Sequence, residues 1–124
     1  MPNTTAPATT VDVNGDVAIR ENAFTAAGGN NNDINIGNYS FVRISGPAAA
    51  FTITGIAGGV NGKMVVLYNS TAQNMTISHN DNNSTTAGDR IYCKSSANYV
   101  VGQYGVATLI YNATDSRWIV VSTN

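Results

Sequence analysis

From residue 11 onward the chain is cut into eleven short runs of β-type residues, at 11–13, 17–20, 34–36, 39–44, 51–56, 63–69, 75–79, 90–93, 99–101, 106–111 and 118–121. Clusters of Gly, Asn, Asp, Ser and Thr separate them. No run is long enough for a stable helix, and the spacing is that of an all-β sandwich or barrel. Composition agrees: 12 Val and 10 Ile stand against 2 Leu, and the helix formers Glu, Lys and Gln contribute only 1, 2 and 2 residues. Both facts oppose a helical or α/β domain. Asn14-Gly15 and Asn61-Gly62 are read as positive-φ turns, while Gly28-Gly29, Gly46-Pro47 and Gly58-Gly59 interrupt the ladder.

Residues 1–10, rich in Thr, Asn, Ala and Pro, have no apolar period and are expected to form a flexible or extended arm. Residues 11–124 then make a single domain. Its expected architecture is an antiparallel β-sandwich of jelly-roll type. Alternation in Phe51-Thr52-Ile53-Thr54 and Met75-Thr76-Ile77-Ser78 fits half-buried strands. The runs 63–69, 106–111 and 118–121 are apolar on both faces, which a two-sheet monomer does not require. Val65, Leu67, Leu109, Tyr111, Ile119 and Val121 are therefore candidates for core or subunit interface. With only 10% charged residues, few charges remain to keep an apolar sheet face in solution, so an oligomer is expected.

Charge and motif narrow the function. The cations Arg20, Arg43, Lys63, Arg90, Lys94 and Arg117 are scattered, so nucleic-acid binding is disfavoured. The longest wholly apolar run, 64–68, is too short for a membrane span. The stretch 55–63 is Gly-rich, but Ala57 and Met64 stand where a phosphate loop needs Gly and Ser or Thr. Asp12, Asn14 and Asp16 match the start of a calcium loop, yet Val17 and Ala23 replace its Gly and bidentate Glu. His79 is the sole histidine and Cys93 the sole cysteine, so no closed transition-metal site and no Ser–His pair within a recognised elbow is read, and His79 is placed at the surface end of a strand. No catalytic residue, metal or cofactor is expected.

The order Gly59-Val60-Asn61-Gly62-Lys63, then 65–69, Asn74-Met75-Thr76-Ile77-Ser78-His79, 83–91 and 106–118 resembles a β-structured module of bacteriophage tail-fibre and spike-type virion proteins, over roughly residues 51–122. The resemblance implies a homotrimeric, non-enzymatic component at the virion surface that attaches to the host, with residues 1–10 as an arm that docks on other virion proteins or a neighbouring subunit. It matches best at the closing hairpin 111–118. At 124 residues the sequence departs from a fibre with a long stalk, so a short spike, or a vertex or capsid-decoration protein without receptor binding, is also an expectation. A carbohydrate-binding module is the alternative from another class, with host surface glycan as ligand. Its candidate residues are the loop Asn80, Asp81, Asn82 and Asn83 together with Tyr92, Tyr99 and Tyr104, because aromatic rings stack on sugars and amides bind hydroxyls.

Overall fold

The computed structural model describes residues 13–124. The expected arm at 1–10 and Asp12 of the calcium-like pattern lie outside the described residues. Ten strands follow: β1 (Glu21–Thr25), β2 (Gly29–Asn31), β3 (Phe41–Ser45), β4 (Phe51–Ile53), β5 (Met64–Asn69), β6 (Met75–Ile77), β7 (Ile91–Tyr92), β8 (Tyr99–Val101), β9 (Val106–Asn112) and β10 (Arg117–Thr123). Two short 3-10 turns, Ala87–Asp89 and Lys94–Ser96, flank β7.

The chain is all-β, as its composition requires, but it is not an antiparallel jelly-roll sandwich. It is a β-solenoid. The larger sheet runs β1-β3-β5-β9-β10-β7 and the smaller β2-β4-β6-β8. Strands β1, β3 and β5 pair parallel, as do β2, β4 and β6. Glu21 lies beside Phe41 and Phe41 beside Val66, steps of 20 and 25 residues, so each pair of strands is one coil. A third side is made by the parallel bridge between Ile34 and Ile56. The physical reason for the correction is that period-two alternation reports which face is buried and is silent on strand direction. A parallel return normally needs a long crossover. Here the crossover is the strand of the second sheet plus the third side. Accordingly Asn61-Gly62 closes no hairpin: Lys63 N–H donates to Val60 C=O at 2.8 Å in a corner turn leading into β5.

Stacking coils align like side chains into columns. Val42, Leu67 and Ala107 form one, Phe51, Met75 and Val101 a second, and Ile53, Ile77 and Tyr99 a third. Their buried members make a single core. After β6 the direction reverses: β8 pairs antiparallel with β6, β9 with β5, and the hairpin β9–β10 stands at 111–118 as read from the sequence. Trp118 on β10 is fully buried, donates its indole N–H to Ile56 C=O at 2.8 Å, and meets Tyr111 edge-on at 5.2 Å. It thereby ties the reversing strands to the third side of the coils.

The two-faced strands resolve into an inner and an outer set. Val65, Leu67 and Leu109 are core, and Tyr111 packs partly buried against it. On the outer face Met64, Ile110, Ile119 and Tyr92 form one row across four strands. Phe41, Val66 and Thr108 form the next, and Tyr68 lies 6.3 Å from the Phe41 ring. Met64 is 48% exposed, and Val121, at the bulge after Val120, 52%.

Candidate functional site

Four segments meet beside the short strand β7. An open groove of about 420 Å³ is lined by His79, Asn80, Tyr92, Cys93, Ser95 and Ser96. Smaller depressions, of about 240 Å³ beside Arg20 and Tyr39 and about 330 Å³ beside Arg43 and Pro47, lack a comparable set of converging groups. Backbone bonds explain the convergence. His79 N–H donates to the Asn98 side-chain oxygen at 2.8 Å, and Asn80 N–H to Ile91 C=O at 2.6 Å. The end of β6 is thus pinned to both flanks of β7.

The imidazole of His79 is part of that clamp. Its Nδ1 accepts the Cys93 N–H at 2.9 Å, which in the neutral ring leaves the proton on Nε2. The ring stacks on Tyr92 at 5.5 Å and 23°. The Arg117 guanidinium lies 5.2 Å from the Tyr92 centroid, and its Nε donates to Asn80 Oδ1 at 3.2 Å. Asn80, Ser95 and Ser96 all hold positive φ, at 43°, 58° and 57°. For residues with a Cβ this backbone is costly and persists where surrounding structure fixes it, a pattern that clusters at ligand-holding sites. The groove therefore offers a rigid aromatic flanked by an amide, two hydroxyls and an imidazole. The amide, hydroxyls and imidazole are able to exchange hydrogen bonds with hydroxyl groups, while the Tyr92 ring is itself stacked by His79 and approached by Arg117.

Cys93 contributes shape rather than reactivity. Burial pushes its thiol up to about 11, only partly offset by the Tyr99 backbone hydrogen bond, so no thiolate is present near neutral pH. Among the described residues no group of three or more His, Cys, Asp or Glu is placed to hold a metal ion.

The expected receptor residues separate. Asn80 and Tyr92 are brought together in the groove. Tyr99 is half-buried against the core next to Asn98, beneath the groove. Tyr104 is 69% exposed, but its N–H donates to Asn69 C=O at the far end of β5, whereas Tyr92 shares a row with Met64 at the near end. Five residues of strand, roughly 17 Å, part them along the sheet. Asp81 and Asn83 bond to each other: Asp81 Oδ1 takes the Asn83 N–H and side-chain amide at 2.9 and 2.8 Å, and Oδ2 the Ser78 hydroxyl at 2.8 Å. Burial opposes the Asp81 carboxylate, but these bonds and the Arg90 charge together hold it below its usual range. Asn82 is exposed at the tip. The loop is further anchored by Ser84, whose buried hydroxyl lies 2.8 Å from Thr54 Oγ1 and accepts the Asp33 N–H at 3.0 Å.

Sequence reasoning missed His79, Arg117, Ser95 and Ser96 as groove residues. His79, the pair Ser95-Ser96 and Arg117 lie far apart in the chain and share no motif, so only the coil geometry joins them.

Fold and groove together define the class: a β-solenoid domain carrying a shallow polar and aromatic groove and, among the described residues, a half-exposed apolar sheet face. No protein-family model matches the chain, and no curated protein matches it by sequence.

Proposed function

We propose that the protein is a non-enzymatic structural and attachment module of a bacteriophage virion, working as a homotrimer that presents its groove to a glycan on the host surface. The carrying observation is the outer face of the large sheet. Met64, Val66, Tyr68, Ile110, Ile119 and Val121 lie on it, and Arg43 and, at one corner, Arg117 supply its charge on β3, β5, β9 and β10. Four strands at about 4.8 Å spacing and six residues at about 3.4 Å give roughly 400 Å² in projection, the size at which an exposed apolar patch marks an interaction site. Nearly uncharged, it offers little to a charged partner and much to a copy of itself, and identical subunits close by cyclic symmetry. The threefold order and the virion setting rest on the resemblance over residues 51–122.

Light scattering tests the assembly: the expected mass is about three times the 12.9 kDa chain. Ile110→Asp or Val121→Asp, on the outer face, should yield a folded monomer, because an unpaired carboxylate buried between subunits is costly. Val65→Asp would strike the core and report only on folding. A monomeric wild type at micromolar concentration would sink the trimer.

A carbohydrate-binding module acting alone is the second reading, favoured by the groove itself. A wild-type monomer that binds a glycan array through Tyr92 and Asn80 would support it. Glycan binding by a trimer, with adsorption of the particle lost in Tyr92→Ala, would support the attachment role, since three weak sites add avidity.

A further inference from the structure

Asp33 lies in the turn after β2 at φ 45°, a left-handed backbone. Its Oδ2 accepts the Thr85 N–H at 3.0 Å and the Thr85 hydroxyl at 3.3 Å. Its other oxygen, Oδ1, is buried with no donor against it. A carboxylate oxygen left so is expensive, and its neighbourhood ought to supply a proton. The group within side-chain hydrogen-bonding reach is Asp89, at the end of the turn Ala87–Asp89. The backbone of Asp89 is fixed, its N–H donating to Thr86 C=O at 3.0 Å and its C=O accepting the Ile56 N–H at 2.8 Å. Two acids from different parts of the chain are thus held together by bonds that neither carboxyl can relax.

We infer that Asp89 donates its carboxyl proton to Asp33 Oδ1, and that this shared proton is an acid-operated latch holding the loop of residues 80–89 to the first coil. Both carboxyls being ionised would set two negative charges side by side. Among the described residues no cation offsets them: the neighbouring Arg90 directs its Nε to Ser84 C=O at 2.9 Å and its charge acts on Asp81. The remaining ionisable group beside the turn is the Tyr111 hydroxyl, next to Gly88. Burial first, then the hydrogen bond and the charge of Asp33, push the Asp89 carboxyl up to about 6 from an ordinary 3.8.

The folded value lies above the unfolded one, so the latch contributes fully below pH 3.8 and is lost as pH rises through about 6. Solvent screening at this partly exposed turn reduces the effect to on the order of tenfold in the folding equilibrium. Thermal melts of wild type and Asp89→Asn between pH 4 and 8 provide the test. The amide can donate at every pH, so the two proteins should melt alike near pH 4 and Asp89→Asn should be the more stable above pH 6. A difference independent of pH would overturn the latch. Carbon-13 NMR of the wild-type Asp89 carboxyl gives a second reading that needs no variant: a midpoint well above 5 is expected, and one near 3.8 overturns it. Protection of the Thr85 amide, corrected for intrinsic exchange, should fall across the same window, and constant protection would equally overturn it.

Discussion

The parallel coils β1 to β6 and the reversing segment β7 to β10, in which β8, β9 and β10 pair antiparallel and β7 alone pairs parallel with β10, bury the same kinds of residue by different means. In the coils, each strand covers the next in register, so stability accumulates from column to column as in other solenoids. In the second region, the chain reverses and wraps one end: β9 pairs along β5, and β10 and β7 curl round until Arg90 bridges Gly55 on the third side. The two ends therefore differ. At the reversed end Ala107, Leu109, Trp118 and Val120 are buried. At the other, β1 is the edge strand of its sheet among the described residues, and its inward Asn22 and Phe24 are only half-buried. A stack of coils is only as well covered as its outermost rung.

Substitutions should expose this asymmetry. Trp118→Ala removes the largest fully buried side chain of the reversing strands together with its bond to Ile56. It should cost about 3–5 kcal/mol in denaturant unfolding. If it costs no more than a surface change, the hairpin does not act as the closure of the coils. Asn69 sits where the two regions join. Its amide donates to Gln73 C=O at 2.8 Å and Val101 C=O at 3.0 Å, while its oxygen accepts the Thr71 N–H and hydroxyl at 3.0 and 2.7 Å. Asn69→Ala strands these partners in a buried site and should cost about 2–3 kcal/mol. Phe24 heads the same column, above Ile44 and Asn69, yet at the open end its truncation to Ala should cost about 1 kcal/mol. A loss from Phe24→Ala as large as from Asn69→Ala would show that the first rung is covered in solution. The smallest effect on the fold of the single chain is expected from Ile110→Asp, which should lower the particle mass in light scattering and reduce melting only by the stabilisation that assembly supplied.

How far the sequence could be read follows from particular residues. Alternation in 51–54 and 75–78 identified the inward apolar residues Phe51, Ile53, Met75 and Ile77, all in the core, whereas Thr54 and Ser78, read on the opposite face, are buried as well. The same residues carried a second signal that alternation hides: Phe51 and Met75 are coil equivalents, as are Phe41 and Val66. Corner loops of unequal length blur that repeat, and without it alternation and turn spacing point to an antiparallel sandwich. At the site, Asn80 and Tyr92 were legible as a polar residue and an aromatic flanking one loop. His79 was read as a strand-end surface residue because a lone histidine has no partner in sequence; its partner is the Cys93 backbone, brought there by the pairing of Asn80 with Ile91.

The sequence by itself determined the all-β class, because short β-branched runs favour strands over helices, and it determined which side of most strands faces inward, because side chains alternate every residue; β1 and β2, by contrast, lie outside every β-type run, Gly29 begins a strand where a break was expected, and the run 17–20 forms none. Tertiary structure alone decided that the strands coil in parallel, since direction depends on where a corner sends the chain. It also placed Asp33 against Asp89, left Met64, Ile110 and Ile119 side by side on an outer face, and assembled the groove from residues 79, 92 to 96 and 117. Each of these is a contact between coils, and the distance between coils in space bears no fixed relation to their separation along the chain.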